Sequence, residues 1–159
     1  MEAIANSTVI ILLAKIRRLD LLNIFKIIIT TKVEEEILGS KKVISENKYL
    51  EEYVKEKIRI EDPIEEMSLD LDSEENSAIS LCKQKNINWF FSDDKRARKT
   101  AELLQIKTKG LIGVILENLR EKKITKNEAK EILKISVTLN SYYISADIYA
   151  KAIELIDDF

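Results

Sequence analysis

Carboxylates cluster at three places in this chain where helices should begin: Glu34-Glu35-Glu36, Glu74-Glu75 and Asp93-Asp94. Such clusters suit Mg²⁺ or Mn²⁺, hard cations that prefer oxygen ligands. A cation so held activates a water and stabilises charge developing on a phosphate, so the chemistry on offer is phosphoester hydrolysis. The sequence contains no histidine, which removes Ser-His-Asp and Cys-His machinery, His-ligated zinc and a His general base together. Cys82 is the single cysteine, so neither an intrachain disulfide nor a Cys zinc cluster can form. Its neighbours Ala78, Ile79 and Leu81 mark it as a small core residue. Neither G-x-G-x-x-G nor G-x-x-x-x-G-K occurs, which argues against a nucleotide-cofactor enzyme.

The elements that must position these groups can be read from periodicity. Residues 2–5, 24–29, 58–60 and 87–91 are short apolar runs that fit buried strands. Helical patterns cover 8–16, 31–38, 73–85, 94–104, 111–121, 125–138 and 145–157. Gly39 should close a helix in the left-handed conformation, with a loop running to about Asn47. Strand–helix alternation predicts one α/β domain over residues 1–159, a three-layer α/β/α sandwich around a central parallel sheet, with C-terminal helices from about 125. In such folds the site lies at the carboxyl ends of the strands. Asn6-Ser7-Thr8, Thr30-Thr31 and Ser92-Asp93-Asp94 stand there. Each cluster also has a structural reading, because these residue types cap helices and offset the helix dipole. Singly, capping is the commoner role; together at strand ends, the clusters point to function.

Composition sets the bounds. The chain has 159 residues, 45% hydrophobic and 34% charged, enough to bury one core. Its net charge of −2 argues against a protein that coats nucleic acid, yet an acidic site beside a local basic patch would sum to the same value. Lys95, Arg96, Arg98 and Lys99 form such a patch, either contacting RNA phosphates or making a solvated helix face. Trp89, Phe90 and Phe91 read as core more readily than as a base-stacking platform, and Tyr142 and Tyr143 as packing or a dimer contact. No run approaches the ~20 apolar residues of a membrane span. Glu2, Lys15, Arg17 and Arg18 interrupt any leader pattern, so the expected location is the cytoplasm.

The sequence resembles the PIN-domain family, in particular an archaeal and bacterial branch related to the toxin ribonucleases of toxin–antitoxin pairs. Asn6-Ser7-Thr8-Val9-Ile10, running on to Leu19-Asp20-Leu21-Leu22, is similar to the opening segment of that branch. Val33-Glu34-Glu35-Glu36-Ile37 resembles its second motif, and Glu74-Glu75 with Ala78, Ile79 and Leu81 a third, usually opened by Gly-Glu. Ser92-Asp93-Asp94-Lys95-Arg96-Ala97-Arg98 resembles the fourth, and Gly110-Leu111-Ile112-Gly113-Val114-Ile115 the segment after it. The match runs in register from about residue 3 to 120.

What the resemblance implies is a metal-dependent endoribonuclease using Mg²⁺ or Mn²⁺, with Glu36, Glu75 and Asp94 at acidic site positions within reach of one cation. Asp93 would serve beside or instead of Asp94. One or two cations among Asn6, Glu36, Glu75, Asp93 and Asp94 would promote in-line attack of water on the RNA phosphodiester. The partners implied are RNA, an antitoxin protein if the chain is a toxin, and a second copy in a homodimer. Asn6 departs from the aspartate that the family as a whole carries. Natural divergence, compensation by Asp93 and an engineered substitution compete as explanations, and the first is favoured because asparagine is usual in this branch. The alternative function is a catalytically weakened or inactive module that binds RNA or protein.

Overall fold

The computed structural model describes the chain apart from residues 40–43 and 140–141, and only the backbone of 44–47. Five strands form one all-parallel sheet in the order β3-β2-β1-β4-β5. They are β1 (Glu2–Ala5), β2 (Lys26–Ile29), β3 (Arg59–Ile60), β4 (Trp89–Phe91) and β5 (Lys107–Lys109). Eight helices among the described residues surround it: α1 (Ser7–Lys15), α2 (Thr31–Gly39), α3 (Ile44–Lys57), α4 (Ser73–Lys85), α5 (Lys95–Leu103), α6 (Leu111–Arg120), α7 (Lys126–Thr138) and α8 (Ala146–Asp157). A 3₁₀ turn at Leu19–Leu22 includes Asp20, which pairs with Arg18.

The burial pattern requires the layered architecture. Ala3, Ile4 and Ala5 are each 0% exposed. Consecutive strand side chains point to opposite faces, so both faces of the sheet centre are covered. Phe90 and Phe91 are fully buried, and Phe91 meets Phe25 edge-on with ring centroids 4.9 Å apart. Trp89 is only half-buried, under the ammonium groups of Lys107 and Lys109. Cys82 is buried in the core, which pushes its thiol up to about 12.

Three local expectations change. β5 has the sequence Lys-Thr-Lys, without an apolar signature, and is a strand because it pairs with β4, Trp89 opposite Lys107 and Phe91 opposite Lys109. As an edge strand it exposes Lys107, a charge that discourages pairing with other chains. The loop expected from Gly39 to Asn47 falls partly on residues 40–43, outside the described residues; from Ile44 onward the chain is helical. Gly39 does end α2, yet no described glycine has a positive φ.

The chain runs β1 to β2 to β3 toward one edge, then returns through α4 to β4 on the other side of β1 and continues to β5. The direction of winding therefore reverses between β1 and β4, and open α/β sheets form crevices outside the strand ends at such points. Behind it, buried Asn118 on α6 donates from Nδ2 to the Leu21 carbonyl at 2.8 Å and the Val114 carbonyl at 2.9 Å. Asn118→Ala should leave the Leu21 carbonyl without this partner and cost about 1–3 kcal/mol of unfolding free energy in urea denaturation. Unchanged stability would show that this bridge between α6 and the 3₁₀ turn contributes nothing.

Candidate active site

Asn6 follows the last residue of β1 and is 1% exposed. Its backbone N–H donates to the Phe91 carbonyl at 2.8 Å, extending the β1–β4 ladder by one rung. Its Oδ1 accepts from Ser7 N–H at 2.7 Å and so caps α1. This bond fixes the amide orientation, since the flipped form would set NH₂ against N–H. Nδ2 then points to Glu75 Oε1 at 3.4 Å and to Ser92 Oγ at 3.3 Å. Asn6 thus offers the site a donor, where a carboxylate would offer an acceptor and a charge.

Glu75, in the first turn of α4, is 8% exposed. Burial, then the charges of Asp94 and Asp72, push its carboxyl up to about 7, against a hydrogen bond from the Asp72 backbone. Asp94 caps α5, its Oδ1 accepting from Ala97 N–H at 2.8 Å, and its own N–H donates to Ser92 Oγ at 3.1 Å. Glu36, on α2, stands at the rim and is solvent-exposed overall. Partial burial of its carboxyl group, with the charges of Glu74 and Asp72, raises its pKa against the pull of the Ser7 hydroxyl. Asp72 and Glu74 thus belong to the same negative field.

Asp93 has a different task. Both its carboxylate oxygens accept from Leu111 N–H, at 3.2 and 3.0 Å, which caps α6 from outside the helix. Gly110 permits this approach: a Cβ there would lie 2.3 Å from Asp93 Oδ1. Burial raises the Asp93 pKa, opposed by Leu111 N–H, the Tyr142 hydroxyl and the charge of Arg98. Its backbone N–H donates to Thr8 Oγ1 at 3.0 Å, so Thr8, Ser92 and Asp93 form one polar seam across the strand ends. With its oxygens turned to α6, Asp93 is not positioned as a substitute for the charge missing at Asn6.

Two clefts meet over this seam, sharing Asp93, Tyr142 and Tyr143. One, of about 380 Å³, is lined by Ser7, Thr8, Glu36 and Asp94. The other, of about 520 Å³, is lined by Lys95, Arg98 and Lys109. The four basic residues expected to act together therefore separate: Lys95 and Arg98 face the second cleft, Arg96 pairs with Asp70, and Lys99 is exposed. Tyr142 is the residue that pattern reading placed least well, because nothing within its helix-free segment signals a contact with Asp93.

Among the described residues, no group of three or more acidic side chains is arranged to hold one ion. The shared reach of Glu36, Glu75 and Asp94 expected from the sequence is not present in this arrangement. Glu75 lies in the field of Asp94 and Asp72, and Glu36, at the rim, lines the cleft with Asp94. Two carboxylates still fit Mg²⁺, which keeps several waters and takes one or two carboxylates together with substrate phosphates.

An all-parallel sheet with acidic groups at its winding reversal defines a doubly wound α/β domain. A family model described as DUF3368, a PIN domain, matches residues 2–158. The chain belongs to the PIN-domain family, whose members are in general nucleases. Among solved structures, a PilT N-terminus domain protein from the hyperthermophilic archaeon Sulfolobus solfataricus P2 shares the fold, with a TM-score of 0.57 and 17% identity over 75% of this chain and 94% of that one. No curated protein matches.

The Glu75 pKa gives a testable sign. Because it is raised on folding, the folded state holds this proton more tightly than the unfolded state does. Its contribution to stability is therefore full below the ordinary glutamate range and is lost as pH rises toward 7. In metal-free buffer, Glu75→Gln should flatten the fall in thermal stability between pH 5 and pH 8. Identical pH profiles for variant and wild type would show that burial and the charges of Asp94 and Asp72 do not raise the Glu75 pKa.

Proposed function

We propose that this chain is a metal-dependent endoribonuclease whose cation is held by Glu75 and Asp94, with affinity lowered by Asn6. The observation that carries the reading is the buried Glu75 carboxyl, crowded by the charges of Asp94 and Asp72 at the point where the sheet reverses its winding. Buried like charges are costly unless a cation compensates them, which makes such a pair a candidate functional site. RNA as substrate follows from the family resemblance and fits the cationic cleft beside the acidic one.

A divalent cation at this pair would polarise the phosphate and lower the pKa of a water there. The chain's own residues do the remaining work. Asp94 keeps Oδ1 on Ala97 N–H, which fixes the direction of a carboxylate that lines the cleft. Asn6 Nδ2 holds Glu75 Oε1 in place. Glu36, at the rim with a raised pKa, is placed to accept a proton from an attacking water at its carboxylate. One observation favours the second reading, a weakened or inactive RNA- or protein-binding module: the Asn6 amide presents NH₂ where a third carboxylate would complete the cage.

Mn²⁺ titration by calorimetry separates the two readings. Asp94→Asn retains an oxygen for the α5 cap and removes only the charge, so it should fold normally and lose Mn²⁺ binding about tenfold or more. Asn6→Asp keeps the α1 cap and adds a carboxylate oxygen near Glu75. It should bind Mn²⁺ about tenfold more tightly and cleave RNA faster. Absence of Mn²⁺ binding in both the wild type and Asn6→Asp would overturn the nuclease reading in favour of the binding module.

A further inference from the structure

The open edge of the sheet at β3 adjoins a groove between α2 and α3, with a volume of about 430 Å³. Its lining is largely apolar: Val54 and Ile58 are buried, Leu38 is half-buried, and Ile60 is 44% exposed. Glu34 and Glu51 border the groove with Lys55, which leaves its border net negative. Among the described residues, neither carboxylate has an ion-pair partner. Glu34 and Glu36 are two residues apart on α2, so they point about 200° apart around the helix axis. The groove therefore lies on the side of α2 away from the acidic cleft that Glu36 lines.

The strand edge beside this groove is unpaired in a defined way. Glu61 N–H donates to the Ile29 carbonyl at 3.0 Å, so Arg59 and Glu61 turn their backbone groups toward β2. Successive residues of a strand alternate in this respect, and Ile60 therefore turns its N–H and C=O outward, away from the sheet. The Arg59 side chain is engaged with Glu2 and Glu61, which leaves Ile60 as the β3 side chain in the groove. Pro63 closes the edge, so only a short segment can pair there. We propose that β3 takes up an extended peptide segment of a partner protein as a sixth strand, with a branched apolar side chain against Ile60 and a Lys or Arg beside Glu34 and Glu51. Backbone bonds to Ile60 hold the segment extended; the groove and the carboxylates choose its side chains. Both chosen side chains face the groove, so they stand two residues apart on the segment. This docking surface is separate from the acidic cleft and does not depend on the nuclease reading.

The test selects a phage library of random octapeptides on the full chain and measures the enriched peptides by fluorescence anisotropy. The expected consensus places Val or Ile two residues from Lys or Arg. Ile60→Val should bind these peptides as the wild type does. Ile60→Pro removes the outward N–H and leaves the ladder to β2 untouched, so binding should fall about tenfold or more. Glu34→Lys combined with Glu51→Lys leaves the edge intact and should also weaken binding about tenfold, an arm that stands even if Ile60→Pro fails to fold. A selection that enriches no peptide sinks the proposal, as do enriched peptides that bind the charge-reversed variant as tightly as the wild type. A wild-type dimer in sedimentation velocity that Ile60→Pro makes monomeric overturns it in favour of a second copy of this chain.

Discussion

Asn6 joins four parts of the fold through one buried side chain and one backbone N–H. The backbone bond to Phe91 holds β1 to β4 across the winding reversal; the side chain caps α1, reaches Glu75 on α4 and touches Ser92 beyond β4. An aspartate could keep the cap and the Ser92 contact, but it would face Glu75 Oε1 as a like charge a few ångströms away. In the absence of a cation, asparagine turns that repulsion into a hydrogen bond. An amide at this position therefore relieves the crowding of negative charge around Glu75. Stability and function pull in opposite directions at this position, as they commonly do where charge is stored for chemistry.

The polar residues around Asn6 show why capping and function are not competing explanations here. Asp94 caps α5 with one oxygen and also lines the cleft. Asp93 caps α6, and Gly110 keeps the space open for it. In a parallel sheet each helix N-terminus rises beside a strand end, so capping residues accumulate at the edge where ligands bind. A cap fixes a carboxylate's direction without consuming all of its acceptors. The helix ends therefore serve as rigid mounts for the site, which suits chemistry that depends on placement.

Charge separation over a short distance is the second organising feature. The acidic pair and the cations of α5 lie on either side of Asp93, and Arg98 offsets part of the Asp93 charge. A polyanion approaching such a surface is attracted by the cationic wall and repelled by the bare carboxylates.

The sequence by itself determined the architecture and the chemical type of the site. Apolar runs alternating with helical periodicity defined a parallel sheet with both faces covered, and the absence of histidine left carboxylates, amines, hydroxyls or a metal held by oxygen ligands as candidates. These are local properties, set by side-chain type and spacing. What the tertiary structure decided depends on distance and direction. It made Lys107–Lys109 a strand through pairing with β4, a contact that leaves no mark on the segment itself. It assigned the Asp93 oxygens to α6, moved Glu36 to the rim and coupled Glu75 to Asp94, though all four stand in equally acidic stretches. It also split the basic run of α5 between a cleft, an ion pair with Asp70 and open water, because successive helical residues turn about 100° around the axis and only some face the site. Residue type names the chemistry; only the fold tells which of several identical groups are close enough to share it.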